Sequence, residues 1–438
     1  MVDTRPASIH AEPTSSSSAL ARRAEIRAEV ERSALRYFLE QAHPQTGMVR
    51  DWAENFSDTP ANNRVGSIAA TGFGFVVVAN AARRGWVDRD FARAYVLKTL
   101  RFCRQSVARH KGWFLHFVDW ETGERAINSE YSTIDTALLL AGALYAARVL
   151  EDPSADRLAH ELYREMDFPD MLTDGGQKPR KLTLSRALWP GQPHTDGQWD
   201  MYAEHMILLL MGLGSPTHPL PREAWLAWDR SRKTLPNGKS VMGLEGTLFL
   251  HQYSQLFIDF QNYDDGFPNY HANSRVATEW HRELMSKDQR FKTLREGFWG
   301  FSAGQSPKGY EAWDPTHYAG TVCIGCTVGS AMLWPEVVLD DLVRWRHGPY
   351  AGQIWGRYGF TDSIDLDQKW FSSKVLGITV GPGYMAMANL SPETSIWRDF
   401  MQMPEIQVGL ARARGPEVPL AGSKKKRGPA SVSRAGAR

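Results

Sequence analysis

The sequence predicts a predominantly helical fold of the α/α-barrel type, on three observations. Apolar residues recur at helical spacing in about a dozen segments along the chain. Segments apolar nearly all round, which must be buried on every side, are interspersed with amphipathic ones that carry a charged face. No comparable series of alternating strands competes with them. An inner ring of buried helices inside an outer ring of amphipathic ones produces that mixture.

Taken in chain order, Met1 to Ala19 is polar and Ser-rich, and 415–438 is rich in Gly, Ser and Lys. Neither can bury enough apolar surface to order itself, so both read as disordered tails, 1–19 and 415–438, around one folded domain, 20–414. Within that domain helical periodicity runs over 20–41, 65–84, 89–108, 131–150, 154–166, 199–213, 221–231, 247–259, 272–286, 334–346 and 383–402. Ile68 to Ala82 and Met206 to Leu213 are apolar all round, whereas 89–108 and 154–166 have charged faces. Gly112 to Ile127 differs. Its alternation of Trp113, Leu115 and Phe117, followed by a turn at Glu121-Thr122-Gly123, predicts one small β-hairpin decorating the helical body. The connections 167–198, 232–246, 296–333 and 347–382 are long, and long loops in a compact domain are usually functional.

Hydrophobic content of 42% and charged content of 23% describe a globular protein. The net charge of +2 reflects the basic run Lys424-Lys425-Lys426-Arg427 in the tail, so no nucleic-acid-binding face is predicted. Met1 to Ala19 lacks an apolar core of signal type, and runs such as Ile207 to Leu213 are far shorter than a membrane span. The expectation is a cytoplasmic protein without a membrane partner. Of three cysteines, Cys323 and Cys326 form a C-x-x-C with neither a second ligand pair nor a thioredoxin-like setting, and read as small buried hydrophobes. There is no H-E-x-x-H, calcium loop or phosphate loop, so no metal and no cofactor is expected.

Sixteen tryptophans are a heavy load, and many stand beside Gly, Asp or Pro, among them Trp120, Trp199, Trp299 and Trp355. Such residues suit stacking on the flat apolar face of a sugar ring. The carboxylates point the same way. Glu204 is followed by a run of apolar residues, a setting that raises a carboxyl pKa as a general acid near neutral pH requires. Glu130 and Asp135 stand at the head of the apolar segment 131–150, although Ser132-Thr133-Ile134-Asp135 also fits a helix-capping arrangement. Paired carboxylates are the means by which proteins cleave glycosidic bonds. Glu204, Glu130 and Asp135 are therefore the catalytic candidates. Asp119 and Trp120 on a turn, Tyr202 beside Glu204, and His251, Gln252, Tyr253 and Arg275 near the following segments, are candidates for binding a hydroxyl-rich ligand; a buried hydrogen-bond network would look the same.

These blocks resemble a bacterial glucoamylase-like family that includes endo-β-1,2-glucanases and a domain of cyclic β-1,2-glucan synthases. The resemblance runs from about Ala34 to Ala413 and rests on ordered blocks, among them Ser129-Glu130-Tyr131-Ser132-Thr133-Ile134-Asp135, Tyr202-Ala203-Glu204-His205, Gly214-Ser215-Pro216-Thr217-His218 and Trp355-Gly356-Arg357-Tyr358. It implies an (α/α)6 barrel acting on β-linked glucans, with acidic catalytic residues in the blocks of Glu130, Asp135 and Glu204. The chain departs from the family at Tyr318-Ala319 and Thr379-Val380, where acidic and polar residues are usual. The function expected is a glycoside hydrolase on a β-glucan such as the β-1,2-linked polymer, taking an oligo- or polysaccharide. The alternatives are a non-catalytic carbohydrate-binding protein on the same scaffold, a transglycosylase, or a lyase.

Overall fold

Residues 16–57, 63–172, 182–192, 197–243 and 246–415 are described by the computed structural model; most of each predicted tail, 1–15 of 1–19 and 416–438 of 415–438, lies outside them. The first helix, α1 (Ser16–Glu40), starts inside the segment expected to be a tail. It is followed by α2 (Ile68–Arg83), α3 (Arg89–Ser106), α4 (Thr133–Leu150), α5 (Pro153–Arg164) and α6 (Met206–Gly214). Further long helices are Tyr270–Lys287, Pro335–Arg346, Gly377–Ala388 and Pro404–Arg414. Expected helices over 221–231 and 247–259 shrink to the single turns Glu223–Leu226, Leu248–His251 and Tyr253–Phe257.

Patterning decides which helices go inside. In α2 every residue but Arg83 is buried, and all of α6 is buried, as their all-round apolar sequences require. In contrast α3 buries Ala92, Tyr95, Val96, Thr99, Leu100 and Cys103, and α5 only Ala155, Ala159, Leu162 and Tyr163. Of these amphipathic helices α3 packs on both α2 and α4, and α5 packs on α4 and α3. By length and composition α4 could cross a membrane, which the shorter apolar runs had not suggested, yet 83% of it is buried inside the protein.

Two glycines set the α2–α4 distance. A Cβ on Gly142 would stand 2.0 Å from the Gly72 carbonyl oxygen, and one on Gly72 would stand 2.4 Å from the Leu138 carbonyl oxygen. Helix 404–414 closes on α6 through a similar contact of Gly409 with the Leu210 carbonyl.

A single hairpin decoration is not what forms. Eight two-stranded sheets occur among the described residues. Arg109–His110 pairs with Trp113–Phe114 around Lys111-Gly112, both at positive φ. Phe117–Asp119 instead pairs with Val65–Ser67, and only an isolated bridge from Val118 to Arg125 closes the Glu121–Gly123 turn. These strands are stitched to the helices. Val65–Ser67 leads into α2, Tyr131–Ser132 into α4, and Lys374–Leu376 into helix 377–388.

Candidate active site

Where those strands hand over to helices, a cavity of about 270 Å³ opens. Its walls include Ser132, Asp135 and Leu138 from the start of α4, Ile378 and Thr379 from the start of helix 377–388, and Tyr253. Glu130, Glu204, His116, Arg186, Trp199, Tyr310 and Cys326 complete the parts that matter chemically. The three catalytic candidates of the sequence analysis therefore face one space.

Local chemistry explains each placement. Ser132 caps α4, accepting from the Asp135 N–H at 3.3 Å and donating to its carboxylate at 2.5 Å. This is the capping arrangement the sequence allowed, and it also fixes Asp135 at the cavity wall. Glu204 stands two residues before α6, in a turn held by the Ser254 hydroxyl, which donates to the Glu204 carbonyl at 2.5 Å and accepts from the Ile207 N–H at 3.0 Å.

Glu204 is 6% exposed, and its Oε2 is buried without a hydrogen-bond partner. Burial lifts its carboxyl from 4.5 to about 7; the nearby Asp135 charge adds to the rise, and Arg186 opposes it. Elsewhere in the same lining the opposite holds. His116 lies between two acids, its Nδ1 at 2.9 Å from Glu130 Oε1 and its Nε2 at 3.4 Å from Asp135 Oδ1. Burial would lower its pKa, but the charges of Asp135, Glu130 and Asp51 outweigh it and raise it to about 9. Burial would likewise raise Glu130, yet the His116 hydrogen bond and charge bring it below its ordinary value. Asp51, half-buried near this group, is raised to about 6 by desolvation, with the Asp135 charge adding to the rise and His116 opposing it. One part of the lining thus carries a carboxyl raised by burial, and another, the charged wall, a carboxylate lowered by an imidazole that is itself raised.

The binding candidates divide. Trp199 and Tyr253 line the cavity. The Trp199 ring stacks on His205 at 5.6 Å and carries the Arg186 guanidinium at 5.3 Å, while its Nε1 donates to Thr133 Oγ1 at 3.0 Å. Tyr253 donates to the Ile378 carbonyl at 2.7 Å. The others lie outside the lining and have structural partners. Asp119 pairs with Arg64 at 2.7 Å and takes turn N–H groups; Trp120 lies under Arg50 at 3.9 Å. Tyr202 bonds Ser274 and stacks on His251, whose Nε2 contacts the Gly243 carbonyl. Gln252 donates to the Cys326 carbonyl and to Ser330. Arg275 is an exposed partner of Glu279, four residues on along its helix. Trp299 donates to Asp341 at 2.8 Å, and Trp355 packs edge-on to Phe360 at 4.8 Å. A cleft lined by several tryptophans is therefore reduced to Trp199, because large aromatic side chains found core partners instead.

Sequence reasoning missed His116, Arg186, Asp51 and Tyr310. His116 sits between Leu115 and Phe117 in a short extended stretch, where its one signal is a polar residue in an apolar alternation. Of the two departures, Thr379 lines the cavity, while Tyr318 hydrogen-bonds Asp288 outside the lining. Cys323 and Cys326 are buried free thiols, as expected.

Comparison with known proteins places these features in a family context. The model of a family described as "Putative glucoamylase" matches residues 196–404. An exo β-1,2-glucooligosaccharide sophorohydrolase (non-reducing end) of Parabacteroides distasonis is 22% identical over 424 residues, which cover 87% of this chain and 57% of that protein. The chain thus spans little more than half the length of this curated relative. Among solved structures, an endo-β-1,2-glucanase from Chitinophaga pinensis, in complex with sophorotriose and glucose, superposes with a TM-score of 0.81 at 23% identity, covering 89% of this chain and 98% of the other. A structure described as a putative glucoamylase from Bacteroides uniformis gives 0.80 at 24% identity, covering 89% and 97%. The chain shares the fold of these proteins, and its resemblance to the glucoamylase-like family holds.

Proposed function

We propose that this chain is a glycoside hydrolase that cleaves β-1,2-linked glucan on an (α/α)6 barrel. The observation that carries the reading is Glu204, a buried carboxyl raised to about 7 that lines the same cavity as Asp135, His116 and Glu130. Two carboxylates whose surroundings drive their protonation apart are the arrangement needed for acid and base work in one site. Glu204 donates its proton to the glycosidic oxygen as the bond from that oxygen to the anomeric carbon breaks. A second carboxylate of the lining takes a proton from water, whose oxygen bonds to the anomeric carbon. Tyr253, Trp199 and Arg186 supply an aromatic and cationic lining for a hydroxyl-rich ring. The substrate follows from the sophorohydrolase and the glucanase, whose names specify β-1,2-linked glucose.

The test is release of reducing ends from a panel of β-glucans, with Glu204→Gln alongside the parent. The parent should act on β-1,2-glucan in preference to β-1,3- and β-1,4-glucans. Glu204→Gln should lose at least about 10²-fold, the scale of general acid catalysis, while sugar binding persists. An activated aryl glycoside, whose leaving group needs little protonation, should be affected far less. Binding of β-1,2-glucan without any hydrolysis by the parent would shift the reading to a carbohydrate-binding protein.

A further inference from the structure

The two acids of the charged wall have different relations to the reaction, and His116 connects them. Asp135 is held at both oxygens, by the Ser132 hydroxyl at 2.5 Å and by His116 Nε2 at 3.4 Å. It projects from the first turn of α4, and its charge acts on both Glu204 and Tyr253. Glu130 lies before the short strand that leads into α4, and its Oε1 is engaged by His116 Nδ1 at 2.9 Å. The imidazole is itself fixed, stacked on Phe117 at 3.8 Å between ring centroids. We infer that Asp135 is the carboxylate that receives the proton of the attacking water, and that Glu130 is a positioning residue acting on Asp135 through His116 as a cationic clamp.

The physical need for such a clamp is clear. Asp51, Glu130, Asp135 and Glu204 crowd one region, and carboxylates close together cannot all ionise unless a cation separates them. The groups that act on His116 are Glu130 and Asp135, which touch it, and Asp51, whose charge reaches it. A cationic His116 between Glu130 and Asp135 offsets the repulsion of their charges, while desolvation favours the proton on Glu204. Glu130 contributes by keeping the imidazole charged and aimed.

This inference rests on the hydrolase reading, so its test includes a measurement that needs no activity. Titration of the imidazole resonances by NMR, with the His116 signal identified by its loss in His116→Gln, should show His116 titrating near 9 in the parent. Glu130→Gln should bring that value down by one or more. In kinetics on β-1,2-glucan, Asp135→Asn should cost at least about 10²-fold in kcat, as expected for a catalytic base. Glu130→Gln should cost about tenfold with KM near that of the parent, and should move the acid limb of the pH profile upward. His116→Gln, which keeps hydrogen-bonding reach but not the charge, should move that limb further in the same direction. The clamp is overturned if His116 titrates at or below 6.5 in the parent. It is equally overturned if Glu130→Gln is as damaging as Asp135→Asn while the His116 titration is unmoved, since Glu130 would then be the base itself. A parent that hydrolyses no glucan sinks the hydrolase reading, and the NMR titrations still decide whether the clamp exists.

Discussion

At the scale of single residues, the burial of Glu204 makes the fold sensitive to pH. Its carboxyl titrates near 4.5 when unfolded and at about 7 when folded, so the folded state holds the extra proton between those values. Stability is therefore full below about pH 4.5 and declines as pH rises through 7, with a cost of about 3 kcal/mol at alkaline pH. Glu204→Gln removes the charge and should unfold at a higher temperature than the parent at pH 8, with the difference vanishing near pH 4.5. Thermal unfolding at the two pH values checks this, and a variant less stable at pH 8 would refute the burial argument. Activity of the parent should fall above about pH 7, as the acid loses its proton. This residue was legible in sequence because an acid followed by an apolar run has little water around it. His116 was not legible, since its meaning depends on Glu130 and Asp135, 14 and 19 positions away along the chain. Trp120, Trp299 and Trp355 lie outside the cavity lining, since a tryptophan beside a turn suits packing on neighbouring side chains as well as sugar stacking.

At the scale of elements, α4 links core and site. Its middle is pressed against α2 at Gly142 and Gly72, and its N-terminus carries Ser132 and Asp135. Gly142→Ala would put a methyl group 2.0 Å from a carbonyl oxygen, which only a shift of the whole helix relieves. A loss of about 1–3 kcal/mol or more is expected, with reduced activity, because the same shift moves Asp135. Gly352→Ala, where nothing lies within 4 Å, serves as the control and should be close to neutral. Ser132→Ala removes both the cap and the Asp135 hydrogen bond. It should cost about 1 kcal/mol by denaturant unfolding and lower kcat as well. Existence and register of α2, α3, α4 and α5 followed from periodicity to within a few residues. The short strands did not, because two- and three-residue strands have no period to detect; they form where neighbouring backbone groups need partners.

For the whole molecule, both main apolar clusters draw on distant parts of the chain. One includes Ala34, Val77, Leu140, Leu210 and Ala413, the other Ile26, Phe301, Leu342 and Met387. Helix α1 packs on helices 335–346 and 377–388, and α6 on 404–414. A cut in mid-chain would therefore open both cores, and the body 20–414 should unfold as one unit. Limited proteolysis of the full chain should leave a single resistant core of that extent. Two stable fragments of comparable size would contradict it.

The sequence by itself determined the helical class, the inside and outside of the main helices, and the acids Glu130, Asp135 and Glu204, because solvation acts on each residue through its immediate neighbours. Only the tertiary structure decided that those acids share one cavity, that His116 stands between two of them, and that most candidate binding aromatics are core. Those facts depend on distances between segments remote along the chain, set by the α2–α4 contact and the strands that lead into the helices, and no local pattern encodes them.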